Sequence, residues 1–304
     1  MNAKNNKSII VLIISNSIFI LLSTFLILKG DEVNTKVSIN RDNTKGFHLT
    51  SPILDCENIT SEGIVTMPSR ELQNFSQDLS DQYELSKYAI YFRDLKNGPW
   101  VGINEKEFFS PASMMKVPML ISFLKEAEYD PGILQKKVVA TEDYFTEVRD
   151  QTFDGNHSIV KNNTYTLKEI ATSMIIESDN SALLLLAENI PQKGLKDLLF
   201  NIGTLTSGGE QDTNIRVKDY AGFFRVLYNA SYVNRESSEF ALSLLTKTNF
   251  NGGIVAGVPK DVIVSHKYGE RSFEQKVGNT VFVQERQLHD CGIVYSADPY
   301  ILCI

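Results

Sequence analysis

Hydrophobic positions divide this chain into three stretches of different texture. Residues 9–28 carry no charge and are rich in Ile, Leu, Val and Phe. At 1.5 Å per residue such a run spans roughly 30 Å, the thickness of a hydrocarbon core. Residues 29–70 are polar, hold no period for long, and read as a tether. From residue 71 the pattern tightens. Leu72, Phe75, Leu79 and Tyr83 fall on one face of a helix predicted over 71–86. Residues 88–93 alternate as a strand, Lys96-Asn-Gly-Pro is a turn, and 100–103 return to close a hairpin. Helical periods follow over 115–127, 167–176, 181–189, 217–228 and 237–245. Strand patterns resume at 262–266, 281–283, 292–295 and 300–304. Strands at both ends of a helical middle predict an α/β (α+β) fold. In it, one antiparallel sheet is closed by the N- and C-terminal parts, with a helical subdomain inserted.

Charge adds orientation to the apolar run. Lys4 and Lys7 precede it, which favours an N-terminus left in the cytoplasm. A cleaved signal peptide is the competing reading, but the exit, Phe25-Leu-Ile-Leu-Lys-Gly-Asp, has no small-residue cleavage site. The expected organisation is a cytoplasmic tail over 1–8, a transmembrane signal-anchor over 9–28, a polar linker over 29–70 and an exported domain over 71–304. The net charge of −7 argues against nucleic acid as the main partner. Cys56, Cys291 and Cys303 form no CxxC pair, and His48, His157, His266 and His289 show no metal-ligand spacing. Chemistry without a metal or cofactor is therefore expected. Cys291 and Cys303 are equidistant from Ala297 in the Ser296-Ala-Asp-Pro turn. In a hairpin centred there they would face each other, and an exported compartment permits a disulfide.

Three short motifs carry candidate chemistry. In Ser113-Met-Met-Lys116 the lysine lies one helical turn beyond the serine, on the same face. A serine hydroxyl needs a base, and a lysine amine serves only if its pKa is lowered. Pro111 suits a helix start, which places Ser113 at a buried N-terminus where developing negative charge is favoured. A second pair of the same spacing, Ser158 and Lys161, reads as a surface coincidence. Ser178-Asp179-Asn180 sits on a turn between helices and, taken alone, reads as an N-cap. His266-Lys267-Tyr268-Gly269 ends a strand pattern. A cation and a glycine there suit an anion and a substrate backbone, although an exposed strand end is the simpler reading in isolation.

The three motifs in this order resemble the penicillin-recognising serine hydrolases, specifically the class A β-lactamase-related family. Pro-Ala before Ser113, Val-Pro after Lys116, Thr164-Tyr-Thr, Asp219-Tyr-Ala-Gly-Phe-Phe and His289-Asp-Cys-Gly-Ile-Val extend the resemblance over about residues 85–304. It implies a class A β-lactamase/D,D-peptidase-like fold and an acyl-Ser113 intermediate. Lys116 and Ser178 would relay protons, Asn180 would hold the substrate amide, and Lys267 would attract a substrate carboxylate. Tyr268 and Gly269 would line the substrate site. The backbone N–H groups of Ser113 and Glu270 would form an oxyanion hole.

Three departures qualify the resemblance. Tyr268 replaces the family's threonine or serine, and its phenol is expected to lie farther out, blocking or reshaping the substrate-binding position. Glu210, with Asn214 four residues on, has the spacing of the family's deacylating glutamate, but a polar surface turn is the alternative. The chain stops at Ile304, inside an expected central strand, with no closing C-terminal helix. The resemblance implies a hydrolase of the bacterial cell membrane that opens β-lactam rings, the chemistry of antibiotic resistance. A D,D-carboxypeptidase or transpeptidase acting on peptidoglycan peptides, and a sensor that is acylated without turning over, are the alternatives. A Ser-His-Asp esterase built on His266 or His289 is the weakest reading, because Ser113 is not in a G-x-S-x-G elbow.

Overall fold

The computed structural model describes residues 46–52, 69–141, 159–204, 206–207, 214–277 and 280–304; of 69, 206–207, 273–277 and 280–284 it describes the backbone. The first helix, α1 (Ser69–Gln82), is followed by β1 (Ile90–Asp94) and β2 (Trp100–Ile103). The short β3 (Phe108–Phe109) leads into a 3-10 turn, Ala112–Met115, which runs directly into α2 (Lys116–Tyr129). Then come β4 (Lys137–Val139), β5 (Thr164–Thr166), α3 (Leu167–Ile176), α4 (Asn180–Asn189) and α5 (Gln192–Asn201). The chain continues through β6 (Thr206–Ser207), β7 (Asn214–Arg216), α6 (Val217–Tyr228), α7 (Arg235–Leu245) and the single turn α8 (Gly253–Ala256). It closes with β8 (Ile263–Val277), β9 (Thr280–Tyr295) and β10 (Tyr300–Cys303).

The main sheet has the order β2-β1-β10-β9-β8, every described pairing being antiparallel. N- and C-terminal strands therefore close one sheet around the helical segment, as the pattern of elements implied. The inner face of the sheet supplies Tyr91, Ile293 and Ile301 to the main core. Helix α2 crosses that core with Val117, Leu120, Ile121 and Phe123 at zero exposure. A helix apolar on every side is one surrounded by other elements, and α2 packs against α3, α5 and α7. Helix α3 starts on a reciprocal capping box, Thr166 with Glu169. On the outer face, Ile254 of α8 packs with Val264 and Val294, while Tyr300 and Leu302 are half-buried beside them. Phe92 and Tyr300 stack at 5.0 Å on that face. Part of this face is thus covered by α8 and by its own aromatic residues.

Several expectations need correction. Strand β8 does not end at His266; it runs on to Val277, paired with β9 throughout apart from an irregularity between Phe273 and Glu274. Residues 281–283 and 292–295 are parts of the single strand β9. The buried face of α1 is also rotated from the expected one. Phe75 and Tyr83 are 60% and 65% exposed, whereas Ser76 and Ser80 are buried. Small serines let that side of α1 come close to the domain, and they score as polar in a pattern. Part of the expected linker is fastened to the folded unit as well. The backbone N–H groups of His48, Leu49 and Thr50 all donate to the Glu239 carboxylate, and Ser51 N–H donates to Tyr228 O at 2.7 Å. Cys303 lies opposite Cys291 across β10 and β9, and the two form a disulfide. No helix among the described residues is long and apolar enough to cross a membrane, and residues 9–28 lie outside them.

Candidate functional site

Ser113 sits in the 3-10 turn at the head of α2, next to Ala112, whose φ of 47° is in the left-handed region. Non-glycine residues in that region cost about 1–3 kcal/mol and persist where the surroundings hold them. Here the Met114 N–H donates to Pro111 O at 2.9 Å and the Tyr220 hydroxyl donates to Met114 O at 2.8 Å. Tyr220 comes from α6, so a second element pins the turn. One step into α2, Lys116 has no solvent exposure.

The Lys116 Nζ lies 2.8 Å from Ser113 Oγ, 2.6 Å from Ser178 O, 3.2 Å from Ser178 Oγ and 2.6 Å from Asn180 Oδ1. Burial lowers its pKa to about 7, and the Asp179 carboxylate, which favours the charged form, opposes that shift. A neutral amine has two N–H bonds and one lone pair. Those match two carbonyl acceptors, Ser178 O and Asn180 Oδ1, plus the Ser113 hydroxyl as donor.

The turn between α3 and α4 holds both readings of Ser178-Asp179-Asn180 at once. Asp179 is the N-cap of α4, accepting from the N–H groups of Ser181 and Ala182. Its other oxygen accepts from Ile159 N–H and the Ser173 hydroxyl. With the carboxylate anchored, Ser178 and Asn180 on either side turn toward Lys116. Ser178, at φ 54°, is the second non-glycine residue of the site in the left-handed region.

The opposite wall is β8, an edge strand of the main sheet. A Cβ on Gly269 would meet Pro111 O at 2.6 Å and Met114 Cγ at 2.8 Å. Only glycine lets the strand lie this close to the nucleophile turn. Glu270 follows immediately, and Arg271 Nη1 donates to Ser110 Oγ at 2.7 Å, tying strand and turn together again. Lys267 is fully buried, not part of an exposed strand end, and donates to Ser178 Oγ at 2.8 Å. Burial, and secondarily the like charge of Lys116, hold its pKa well below the ordinary lysine value; Asp290 opposes this. Tyr268 is also not where the sequence put it. Its side chain is 5% exposed, hydrogen-bonds Ser178 and stacks on Phe250 with ring centroids 4.3 Å apart.

The structure thus brings Ser113, Lys116, Ser178, Asn180, Lys267, Tyr268 and Gly269 into one cluster. Glu210 lies outside the described residues, as does Ser158, and Lys161 is exposed. His266 belongs to a buried chain behind the site. Its Nδ1 faces Asp290 Oδ1 at 2.9 Å and its Nε2 faces Thr248 Oγ1 at 2.7 Å. His289 lies beneath the turn, against Phe109, with its pKa lowered to about 4 by burial. Neither histidine hydrogen-bonds Ser113. Among the described residues no three His, Cys, Asp or Glu side chains gather as a metal site would need. Tyr220, Phe250 and Arg271 were missed as site residues. Each acts across a distance in sequence and stands in no motif, although Tyr220 falls in one of the stretches that carried the resemblance.

Comparison with known proteins agrees with this fold. No curated protein matches the sequence. Among solved structures, a class A β-lactamase from Mycobacterium abscessus aligns with a TM-score of 0.63 at 16% identity, covering 78% of this chain and 88% of that one. A β-lactamase from Francisella tularensis aligns at 0.62 and 18% identity, over 76% and 87%. A PBP-A mutant, in its acyl-enzyme complex with penicillin G, aligns at 0.61 and 20% identity, over 76% and 86%. At these identities the structures share the fold. The family model described as the beta-lactamase enzyme family matches residues 69–304, and this chain therefore belongs to that family of penicillin-recognising serine hydrolases, with the α+β fold of the class A β-lactamases.

Proposed function

We propose that this protein hydrolyses β-lactams through an acyl-enzyme on Ser113, with Lys116 as the base. The observation that carries the reading is the 2.8 Å contact between Ser113 Oγ and a buried lysine whose pKa is about 7. A general base works best with a pKa near the operating pH. As Ser113 Oγ bonds to the lactam carbonyl carbon, its proton passes to Lys116 Nζ. The C–N bond then breaks, and the lactam nitrogen takes a proton from Ser178 Oγ, which is re-supplied by Lys116 with the proton taken from Ser113. Both amines lie within hydrogen-bond reach of Ser178 Oγ. Asn180 orients Lys116 and is available to a substrate amide. The oxyanion would bind at the N–H groups of Ser113 and Glu270, where Gly269 brings strand and turn together.

Release of the acyl group needs a base for water, and Glu210 is the candidate. We assign it that role on its spacing from Asn214 alone. Without such a base the same site would act as a D,D-carboxypeptidase or transpeptidase on peptidoglycan peptides, or as an acylated sensor. We further propose that residues 9–28 anchor the protein in the bacterial cell membrane with the hydrolase domain outside. The Cys291–Cys303 disulfide supports export, since such bonds persist in oxidising compartments.

The test uses the purified protein with a chromogenic cephalosporin, following colour and intact mass together. Steady turnover that Ser113→Ala abolishes is the expected result. A single stoichiometric burst with a stable adduct favours the peptidase or sensor. No colour and no adduct, with the cephalosporin and with its methyl ester alike, would sink the Ser113 mechanism.

A further inference from the structure

The wall formed by β8 uses its cation in an unexpected way. Lys267 Nζ donates to Ser178 Oγ at 2.8 Å and to Tyr268 O at 3.0 Å, and it sits 4.1 Å from the centroid of the Tyr268 ring. Two hydrogen bonds and an aromatic face occupy its directions, and among the described residues it pairs with no carboxylate. The ring itself is fixed from two further sides, by Phe250 stacked at an interplanar angle of 24° and by the hydroxyl bond to Ser178. Lys267 and Ser178, both in contact with Tyr268, are at 0% and 3% exposure.

Charge outside the ring points the same way. The Glu270 and Glu177 carboxylates both act electrostatically on the Tyr268 phenol. Glu177 is held there by Asn249, the residue next to Phe250. An incoming carboxylate would meet two like charges and an aromatic pair before reaching the buried Lys267 amine. It would gain nothing from Lys267 unless Tyr268 left its three contacts. An uncharged group would lie against the rings at no such cost.

We propose that Tyr268 is a specificity-determining residue which, with Phe250, screens Lys267 from substrate, so that this site takes acyl donors that are uncharged on the side facing β8. The inference rests on Ser113 being the acylated residue. In this arrangement Lys267 is a positioning residue that orients Ser178 and holds the ring, and anion capture is not its task.

The experiment compares the rate of Ser113 acylation, read by intact mass, for penicillin G, its methyl ester and its carboxamide. Wild-type protein is expected to react with the neutral forms as fast as with the acid, or faster. Tyr268→Thr, which removes the ring, should raise the acid-to-ester ratio about tenfold, a difference of roughly 1.4 kcal/mol. Phe250→Ala, which loosens the ring without touching β8, should move the ratio the same way by less, and Tyr268→Phe should leave it near the wild-type value. A wild-type preference for the acid of about tenfold or more would overturn the proposal, whether or not the variants fold. An acid preference abolished by Arg271→Gln would assign anion capture to Arg271 and overturn it too. Acylation with an acid preference leaves the Ser113 reading intact, while no acylation by any of the three in any variant removes both.

Discussion

Lys116 and Lys267 are buried side by side in one site, yet the walls that hold them differ. The helical wall fixes Lys116 with short-range geometry. Its turn of α2 delivers the amine to Ser113, and the cap of α4 aims Ser178 and Asn180 back at it. A carboxylate, Asp179, partly offsets its burial. The strand wall fixes Lys267 by lateral packing of β8 against the nucleophile turn, with an aromatic ring as its neighbour. The same side chain is therefore poised to exchange a proton in one place and set to hold other groups in the other. What separates the two roles is the set of partners, since both lysines are equally dry.

The largest test of that difference is a pair of substitutions. Lys116→Ala should slow acylation of Ser113 by about 10²–10⁴-fold, the usual contribution of a general base. Lys267→Ala should slow it by only about tenfold, because Lys267 acts through Ser178. Equal losses in rapid-quench mass measurements would break the comparison.

Next in size is an effect on stability beneath the strand wall. The His289 pKa falls from 6.5 to about 4 on folding. The unfolded chain then binds the extra proton between those values, so stability is full above pH 6.5 and drains away as pH falls toward 4. The expected loss is on the order of 3 kcal/mol. Urea titrations from pH 7 to 4 should show it, and His289→Gln should flatten the profile. An unchanged slope in the variant would mean that other groups carry the acid sensitivity.

Gly269→Ala probes the contact between the walls. The added Cβ would overlap the Pro111 carbonyl, a backbone atom that cannot swing aside. A destabilisation of about 1–3 kcal/mol is expected, together with slower acylation. Retained stability and activity would show that the strand is free to lie farther out. The smallest effect concerns Asp179 and the helical wall. Acylation should rise with pH through about 7 as Lys116 loses its proton. In Asp179→Asn the carboxylate that favours the charged amine is gone, so that midpoint should move below 7. A midpoint that stays in place, read from the pH–rate profile, would remove Asp179 from the electrostatics of the site.

The helices of the middle segment were legible because burial imposes its period on them. Residues 167–176 and 217–228 form helices with the bounds the pattern predicts. Helix α5 was missed because Pro191 and Gly194 punctuate its sequence like a loop. Gly194 is there for packing: a Cβ would meet Ser122 Oγ of α2 at 2.7 Å. Most of β8 and β9 was missed because Lys267, Glu270, Arg271 and Glu285 interrupt the apolar alternation. Backbone pairing between the two strands does not depend on which side chains they carry. The outward placing of Tyr268 failed for a related reason. Alternation along a strand says which face a residue starts from, and says nothing of where a long side chain ends once Phe250 and Ser178 offer it partners.

The sequence by itself determined the arrangement of strands at both ends of a helical middle, the Ser113–Lys116 pair and, through a resemblance in motif order, the company of Ser178, Asn180 and Lys267, because helical spacing and motif order are properties of the chain. Only the tertiary structure decided that Lys116 is dry enough to lose its proton near neutrality, that Asp179 is at once cap and counter-charge, and that Tyr268 closes over Lys267. These depend on burial and on charges brought together from distant segments, and both come into being only when the strand and the helices pack.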